Sequence, residues 1–223
     1  MPRPANVLPR GQLWSLAAGE RVNMGGPRIS RRRFAGAGAI GTLGVLLAPG
    51  AVFAGSENRE EVELLRWDLP QFPQGVALAG GTDVARDAAT GDTITLTGSG
   101  EARPEKHQAT GGGTFVHRHA NGSEVGHGVY VVTAFKSFAN GGGTLVGAGL
   151  TDGIDVLNKT TGGLLTLKVQ LHATSGLVAE GVLEVHCDLI GTKPPQEEGV
   201  RLTVLTFNFV QAGGFTLFHV LDD

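Results

Sequence analysis

Cysteine is almost absent from this sequence, since Cys187 is the single thiol in 223 residues. The fold therefore has no internal disulfide, and burial of apolar surface alone must stabilise it. That is feasible at this size, because a domain of about 150 residues buries about 68–70% of the surface of its unfolded chain. Cys187 falls on the apolar side of a predicted strand, so we expect a thiol in the core and not a nucleophile.

Several signatures of catalysis and ligand binding are also missing. There is no Gly-x-Ser-x-Gly element of the kind that carries a nucleophilic serine. The glycine-rich stretches 80–83 and 111–113 do not lie between a strand and a helix, so turns explain them better than a phosphate loop. Asp152 and Asp155 have the chemistry of calcium ligands, but their spacing fits no known loop, and a turn is favoured there as well.

The first 54 residues carry an export pattern. The basic segment Ser30-Arg31-Arg32-Arg33-Phe34 precedes an apolar run from Ala35 to Ala54. The run ends in Val52-Phe53-Ala54, a small-residue pattern typical of signal-peptidase cleavage sites, before Gly55. This arrangement resembles the signal peptide of the bacterial twin-arginine pathway. The resemblance implies a bacterial precursor that the twin-arginine export machinery carries in folded form and releases into the periplasm or the medium.

The apolar run itself does not predict a stable membrane span. Four glycines and Pro49-Gly50 interrupt the run from Ala35 to Ala54, whereas a spanning helix normally needs about twenty strongly apolar residues. We expect cleavage after Ala54 and no stable membrane insertion afterwards, with an uncleaved anchor as the alternative. Met24 lies just upstream of the arginines and is a candidate for the true start.

Cleavage would change the charge of the protein. The leader holds seven of the 18 basic residues and one of the 21 acidic residues, so a mature chain of 169 residues (223 − 54) has 11 basic and 20 acidic residues and a net charge of −9. An acidic surface of this size repels phosphate backbones. We therefore expect no nucleic-acid partner and no attraction to anionic lipid headgroups.

Alternation of apolar and polar residues predicts an all-β fold for the mature chain. In the segment 164–172 one side of the strand is formed by Leu165, Leu167, Val169 and Leu171. The segment Leu177–Leu189 repeats the pattern, with Val185 inward and His186 toward water. The remaining strands are predicted at Thr93–Gly98, Thr114–His119, Glu124–Phe135, Thr144–Leu150, Arg201–Val210 and Phe215–Leu221.

About eight strands with short connections predict one antiparallel β-barrel, jelly roll or sandwich. We place this domain at residues 76–223, after a leader at residues 1–54 and a semi-ordered arm at residues 55–75. Within the arm, Glu60–Trp67 is compatible with a short helical turn or an edge strand.

One hairpin has residues that suit a metal site. Gly111, His117, His119 and Glu124 have the spacing of the first motif of the cupin family, which this segment resembles. His117 and His119 project to the same face of a strand, and Asn121-Gly122 predicts a tight turn that would place Glu124 opposite His119. Two imidazoles and a carboxylate would suit one transition-metal ion, namely Zn, Fe, Mn or Ni. The second cupin motif has no counterpart in the chain.

The two faces of this hairpin leave its role open. In the more direct interpretation, the valine face formed by Val116, Val125, Val129 and Val131 belongs to the core, and the face with Phe115, His117, His119, Glu124 and Tyr130 is solvated. In a barrel the assignment inverts, and the histidine face lines the interior. In this register His127 falls on the face opposite His117, and it joins the site only if the connecting loop has an odd length.

Three functions are compatible with these observations. The one we favour is an exported β-barrel protein that binds a small molecule or a protein partner outside the cytoplasmic membrane. A cupin-like metal-dependent enzyme using His117, His119 and Glu124 is the second. The third is a cofactor-free isomerase or cyclase, because the run from Gly113 to Val131 loosely resembles the eight-stranded barrels of allene oxide cyclases and dirigent proteins.

Overall fold

A computed structural model describes residues 62–155 and 159–221, so the predicted leader and the start of the predicted arm lie outside the described residues. The described chain is nearly all strand, which confirms the all-β prediction. One 3-10 turn occurs at Pro73–Gly75. The strands are β1 (Leu64–Asp68), β2 (Val76–Ala77), β3 (Asp83–Asp87), β4 (Thr93–Leu96), β5 (Ser99–Arg103), β6 (Gln108–Arg118), β7 (Glu124–Gly142), β8 (Thr151–Asp152), β9 (Thr160–Ala173), β10 (Val178–Cys187), β11 (Gly199–Val204), β12 (Phe207–Gly213) and β13 (Leu217–Leu221).

The main sheet closes on itself. Its eleven strands run in the order β10-β11-β12-β3-β4-β6-β5-β1-β13-β9-β7, and β9 also pairs with β10 while β6 also pairs with β7. These extra pairings complete an antiparallel circuit, β3-β4-β6-β7-β9-β10-β11-β12. A closed circuit of eight strands is the arrangement of a barrel, which has no free sheet edge along the circuit.

Strand β6 belongs to two parts of the sheet. Its second half pairs with β4 and its first half with β5. The short connection between β4 and β5, near Gly98, therefore passes along β6 from one pairing to the other. Gly113 allows this crossing, because a Cβ there would lie 1.8 Å from the carbonyl oxygen of Thr97. The glycines at 111–113 therefore lie inside a strand and permit close backbone approach, whereas the sequence had suggested a turn.

The inward faces predicted for the β9–β10 hairpin are confirmed. Leu165, Leu167 and Val185 are completely buried, as is the Cys187 thiol, whose pKa burial raises far above its usual range. Two details differ. Leu177 is 54% exposed, because it precedes β10 in the connecting loop, and His186 is buried beside Glu184, Arg201 and Glu197 instead of facing water.

Part of the predicted semi-ordered arm is an internal strand of the main sheet. β1 comes from the stretch assigned to a semi-ordered arm, yet it pairs with β5 on one side and β13 on the other. Its side chains Leu65 and Trp67 are completely buried in the core. The proposed helical turn or edge strand at Glu60–Trp67 is thus replaced, over its described residues, by an internal strand.

Two predicted strands are incorrect. Thr144–Leu150 makes only an isolated bridge from Thr144 to Ile190, and Gly147 and Gly149 adopt positive φ angles of 94° and 72° that interrupt an extended chain. Arg201–Val210 is two strands, β11 and β12, joined by a turn in which Leu205 has a φ of 53°. No glycine or proline marks that turn.

Candidate functional site

Four hairpin connections lie at the same end of the eight-stranded circuit. They join β3 to β4, β6 to β7, β9 to β10 and β11 to β12, and antiparallel pairing places them side by side. A partly open cavity of about 110 Å³ lies beneath them. Its walls are mainly apolar, with Ile94, Phe115, Leu171, Ala179, Phe207 and Phe209 among the lining residues.

His117 brings an ionisable group into this apolar lining. It lies on β6 opposite Ile94 and, two residues after buried Phe115, faces the interior of the barrel. Its side chain is only 12% exposed. The ring packs edge-on against Phe207 and Phe209, with centroid distances of 4.9 and 5.4 Å. These contacts hold the imidazole at the cavity wall.

Asp92 fixes the orientation of His117. Its Oδ2 atom lies 3.1 Å from Nε2 of His117 and 3.1 Å from Nδ1 of His119, while Oδ1 accepts the amide N–H of Ala120 at 3.2 Å. Burial disfavours the charged carboxylate, but the hydrogen bonds from His119 and His117 outweigh that effect and keep the pKa of Asp92 below its usual range. A carboxylate can only accept, so both histidine nitrogens donate to it.

Asp92 was not among the residues singled out by sequence reasoning. It follows the turn between β3 and β4 and is 25 residues from His117 along the chain. The only local signal is Gly91-Asp92 immediately before the alternating strand β4. Finding the contact requires the β4–β6 register, which places Ile94 opposite His117 and which one sequence does not supply.

Glu124 does not join the two predicted histidine ligands. A register shift after His117 puts Glu124 opposite Arg118 and not opposite His119. The carboxylate of Glu124 lies 2.6 Å from Nδ1 of His127 and 3.4 Å from Nη2 of Arg118. Across residues 62–155 and 159–221, no group of three His, Cys, Asp or Glu side chains is arranged to hold a metal ion.

The structure also decides which face of the β6–β7 hairpin is interior. Phe115 and Tyr130 are 6% and 2% exposed, whereas Val125, Val129 and Val131 are 42–50% exposed. The direct interpretation, with the valine face in the core, is therefore wrong, and the inverted barrel arrangement is correct. His119 lies at the rim with a side chain that is 56% exposed, and His127 pairs with Val116 on the outer face as expected.

A second group of ionisable residues lies at the opposite end of the circuit. Burial raises the pKa of Asp83 to about 8 and the pKa of Glu198 to about 7. Glu198 accepts the amide N–H groups of Asp188 and Thr216 at 2.6 and 2.5 Å. Neither carboxyl oxygen of Asp83 has a hydrogen-bond partner among the described residues, and the nearby amides of Val200 and Val84 offset only part of the burial cost.

The other sequence candidates have structural partners. Oδ1 of Asp152 accepts the amide N–H groups of Ile154 and Asp155 at 2.9 and 3.2 Å, which forms the predicted turn. Its second oxygen lies 2.8 Å from Nε2 of His219. Both oxygens of Asp152 are therefore engaged in contacts within the protein.

None of the helical structure in the described part of the chain is long and apolar enough to cross a membrane. Comparisons with protein-family models, with curated proteins and with solved structures find no match to this chain.

Proposed function

We propose that this protein binds a small, mainly apolar molecule in the cavity beneath the four hairpins. The observation that carries the proposal is the cavity itself, an apolar and partly open space of about 110 Å³ whose lining includes His117, which is hydrogen-bonded to Asp92. An engineered apolar cavity of about 150 Å³ in another protein binds benzene. The size therefore suits a ligand with about one ring inside the barrel and any further atoms toward the opening.

The lining sets the chemistry of the ligand. Phe207, Phe209 and Ile94 offer apolar and aromatic surface, and transfer of apolar surface from water is worth about 25 cal/mol per Å². His117 adds one directional contact, because its Nε2–H is committed to Asp92 and Nδ1 remains as an acceptor. A ring that carries one hydroxyl or N–H group matches both features.

The N-terminal sequence supports a place of action outside the cytoplasmic membrane. The resemblance of Ser30–Phe34 and the following run to a twin-arginine signal supports export to the periplasm or the medium. The expected acidic charge of the mature chain supports a soluble role there and argues against nucleic acid as a partner. The ligand would then be a molecule present outside the cytoplasmic membrane.

Calorimetric titration of the purified protein with phenol and with benzene tests the proposal. We expect saturable binding of both, with phenol tighter because its O–H donates to His117. Ala179 lines the cavity, so Ala179→Leu should fill it and weaken binding at least tenfold. The matched control is Val129→Leu, at a side chain that is 50% exposed on the outer wall. Absence of saturable binding, or equal binding by Ala179→Leu, would overturn the proposal.

A further inference from the structure

We infer that His117, oriented by Asp92, is a general base that removes a proton from carbon in a small apolar molecule bound in the cavity. The inference rests on the proposed function and extends it from binding to cofactor-free proton transfer. The substrate class is an apolar carbon acid of about one ring, such as a ketone with an acidic hydrogen on the carbon beside its carbonyl group.

The hydrogen-bond pattern fixes which nitrogen is available. Asp92 is an acceptor, so the proton of neutral His117 resides on Nε2, and the lone pair is on Nδ1. Nδ1 has no hydrogen-bond partner within residues 62–155 and 159–221. The ring belongs to the cavity lining, so this lone pair is the basic group nearest a bound ligand.

The surroundings suit a base that becomes charged during the reaction. When Nδ1 accepts a proton, the imidazolium is stabilised by the adjacent carboxylate of Asp92, which is held ionised by three hydrogen bonds. Phe207 and Phe209 contact the ring edge-on and limit its rotation. Asp92 does not itself need to reach the ligand, and it is therefore a positioning residue.

Few ionisable groups act on His117. Asp92 and His119 lie against it from the β3–β4 turn and the end of β6. The other elements packed on the ring contribute apolar residues, namely Ile94 from β4, Gly126 from β7 and the two phenylalanines from β12.

The chemical step balances without a co-reactant. The Nδ1 lone pair forms an N–H bond, the C–H bond breaks, and its electron pair moves to the neighbouring carbonyl oxygen to give an enolate. Return of the same proton to another carbon of the enolate system regenerates neutral His117 and gives an isomer. No oxidant, reductant or metal enters the step.

The probe reaction is the base-promoted ring opening of 5-nitrobenzisoxazole. A base removes the hydrogen on C3, the C–H electrons form the nitrile, and the N–O bond breaks to release a coloured phenolate. With purified protein we expect saturation kinetics and ring opening well above the rate in buffer alone. His117→Gln should lower kcat by about 10²–10⁴-fold with KM changed less than about threefold, as for a base that contributes little to ground-state binding.

Two further variants separate orientation from structure. Asp92→Asn should also lower kcat and should change the pH profile, because Asn no longer fixes the proton on Nε2 of His117. His127→Gln is the matched control, since His127 lies on the opposite face of the same hairpin, and its rate should equal that of the wild type. Circular dichroism and thermal melting verify that each variant is folded. If His117→Gln does not fold, the pH profile of Asp92→Asn serves as the test of the general-base inference.

Each outcome has a defined meaning. Probe that binds by calorimetry but is opened no faster than by buffer, or equally fast by His117→Gln, overturns the general-base inference and leaves the binding proposal standing. Probe that does not bind, together with failure of phenol to bind, overturns both. Saturable turnover lost in His117→Gln and kept in His127→Gln supports both.

Discussion

Nε2 of His219 lies 2.8 Å from Oδ2 of Asp152, and both side chains are completely buried. The contact joins β13 to the two-residue strand β8. On the other side of the ring, Nδ1 of His219 is 3.9 Å from Oδ2 of Asp68, which is bound by Arg66 at 2.7 Å. The short strand β8, which forms a separate two-stranded sheet with β2, is thus attached to the main sheet by a buried polar contact.

Loss of Asp152 should therefore destabilise the fold. We expect Asp152→Ala to lower the free energy of unfolding by about 1–3 kcal/mol, because removal of one partner leaves the other polar group buried and unpaired. Urea unfolding followed by circular dichroism measures the change. Glu180→Ala is the control, since Glu180 is an exposed residue of β10. A variant at position 152 as stable as this control would show that the contact does not stabilise the protein.

A second prediction concerns pH. Burial raises the pKa of Asp83 to about 8 in the folded state, against about 3.9 in an unfolded chain. Between these values the folded protein binds the proton more strongly, so stability decreases as pH rises from about 4 to 8, by at most about 1.4 kcal/mol per pH unit for this one group. Asp83→Asn should remove this part of the pH dependence, and its stabilising effect should grow with pH in that window.

Asp87, at the other end of β3, should affect the pH dependence of stability in the opposite direction to Asp83. Its pKa is lowered by the amide of Asn208 and by Thr90, so its stabilising contribution is present at neutral pH and is lost as pH falls through the lowered value. Asp87→Asn should destabilise at neutral pH and have less effect in acid. Chemical denaturation at a series of pH values tests both variants, and parallel curves for wild type and Asp83→Asn would contradict the assignment.

The sequence could predict local alternation but not the direction in which a hairpin faces. In β9 and β10 the two strands are adjacent and one face is far more apolar, so Leu165 and Val185 were assigned correctly. In β6 and β7 both faces carry apolar residues, and only barrel closure places Phe115 inside and Val129 outside. The Asp92–His117 contact depends on the same long-range register, and the turn at Leu205 has no glycine or proline to announce it.

The facing of this hairpin can be measured through stability. Phe115→Ala should cost about 3–5 kcal/mol, the usual loss for a buried phenylalanine, because its side chain is 6% exposed. Val129→Ala should cost less than about 1 kcal/mol, within the range of strand preferences at a half-exposed site. Urea denaturation of the two variants gives the comparison. A larger loss at position 129 than at 115 would reverse the assignment of the two faces.

Export offers a test of the N-terminal sequence. Replacing Arg31 and Arg32 by lysine should leave the precursor in the cytoplasm, because the twin-arginine machinery requires the arginine pair. Cell fractionation of a bacterial host and N-terminal sequencing of the exported product measure this, with Gly55 as the expected first residue. Normal export of the lysine variant, or a mature N-terminus far upstream of residue 55, would contradict the signal assignment.

The last prediction concerns metal at His117, His119 and Glu124. Both histidines donate N–H groups to Asp92, and Glu124 is held by His127 and Arg118, so no set of three lone pairs converges. We expect exported protein, dialysed and analysed for Zn, Fe, Mn and Ni, to carry far less than one ion per chain. About one ion per chain, lost in His119→Ala but kept in His172→Gln on strand β9, would contradict this and favour the cupin-like enzyme.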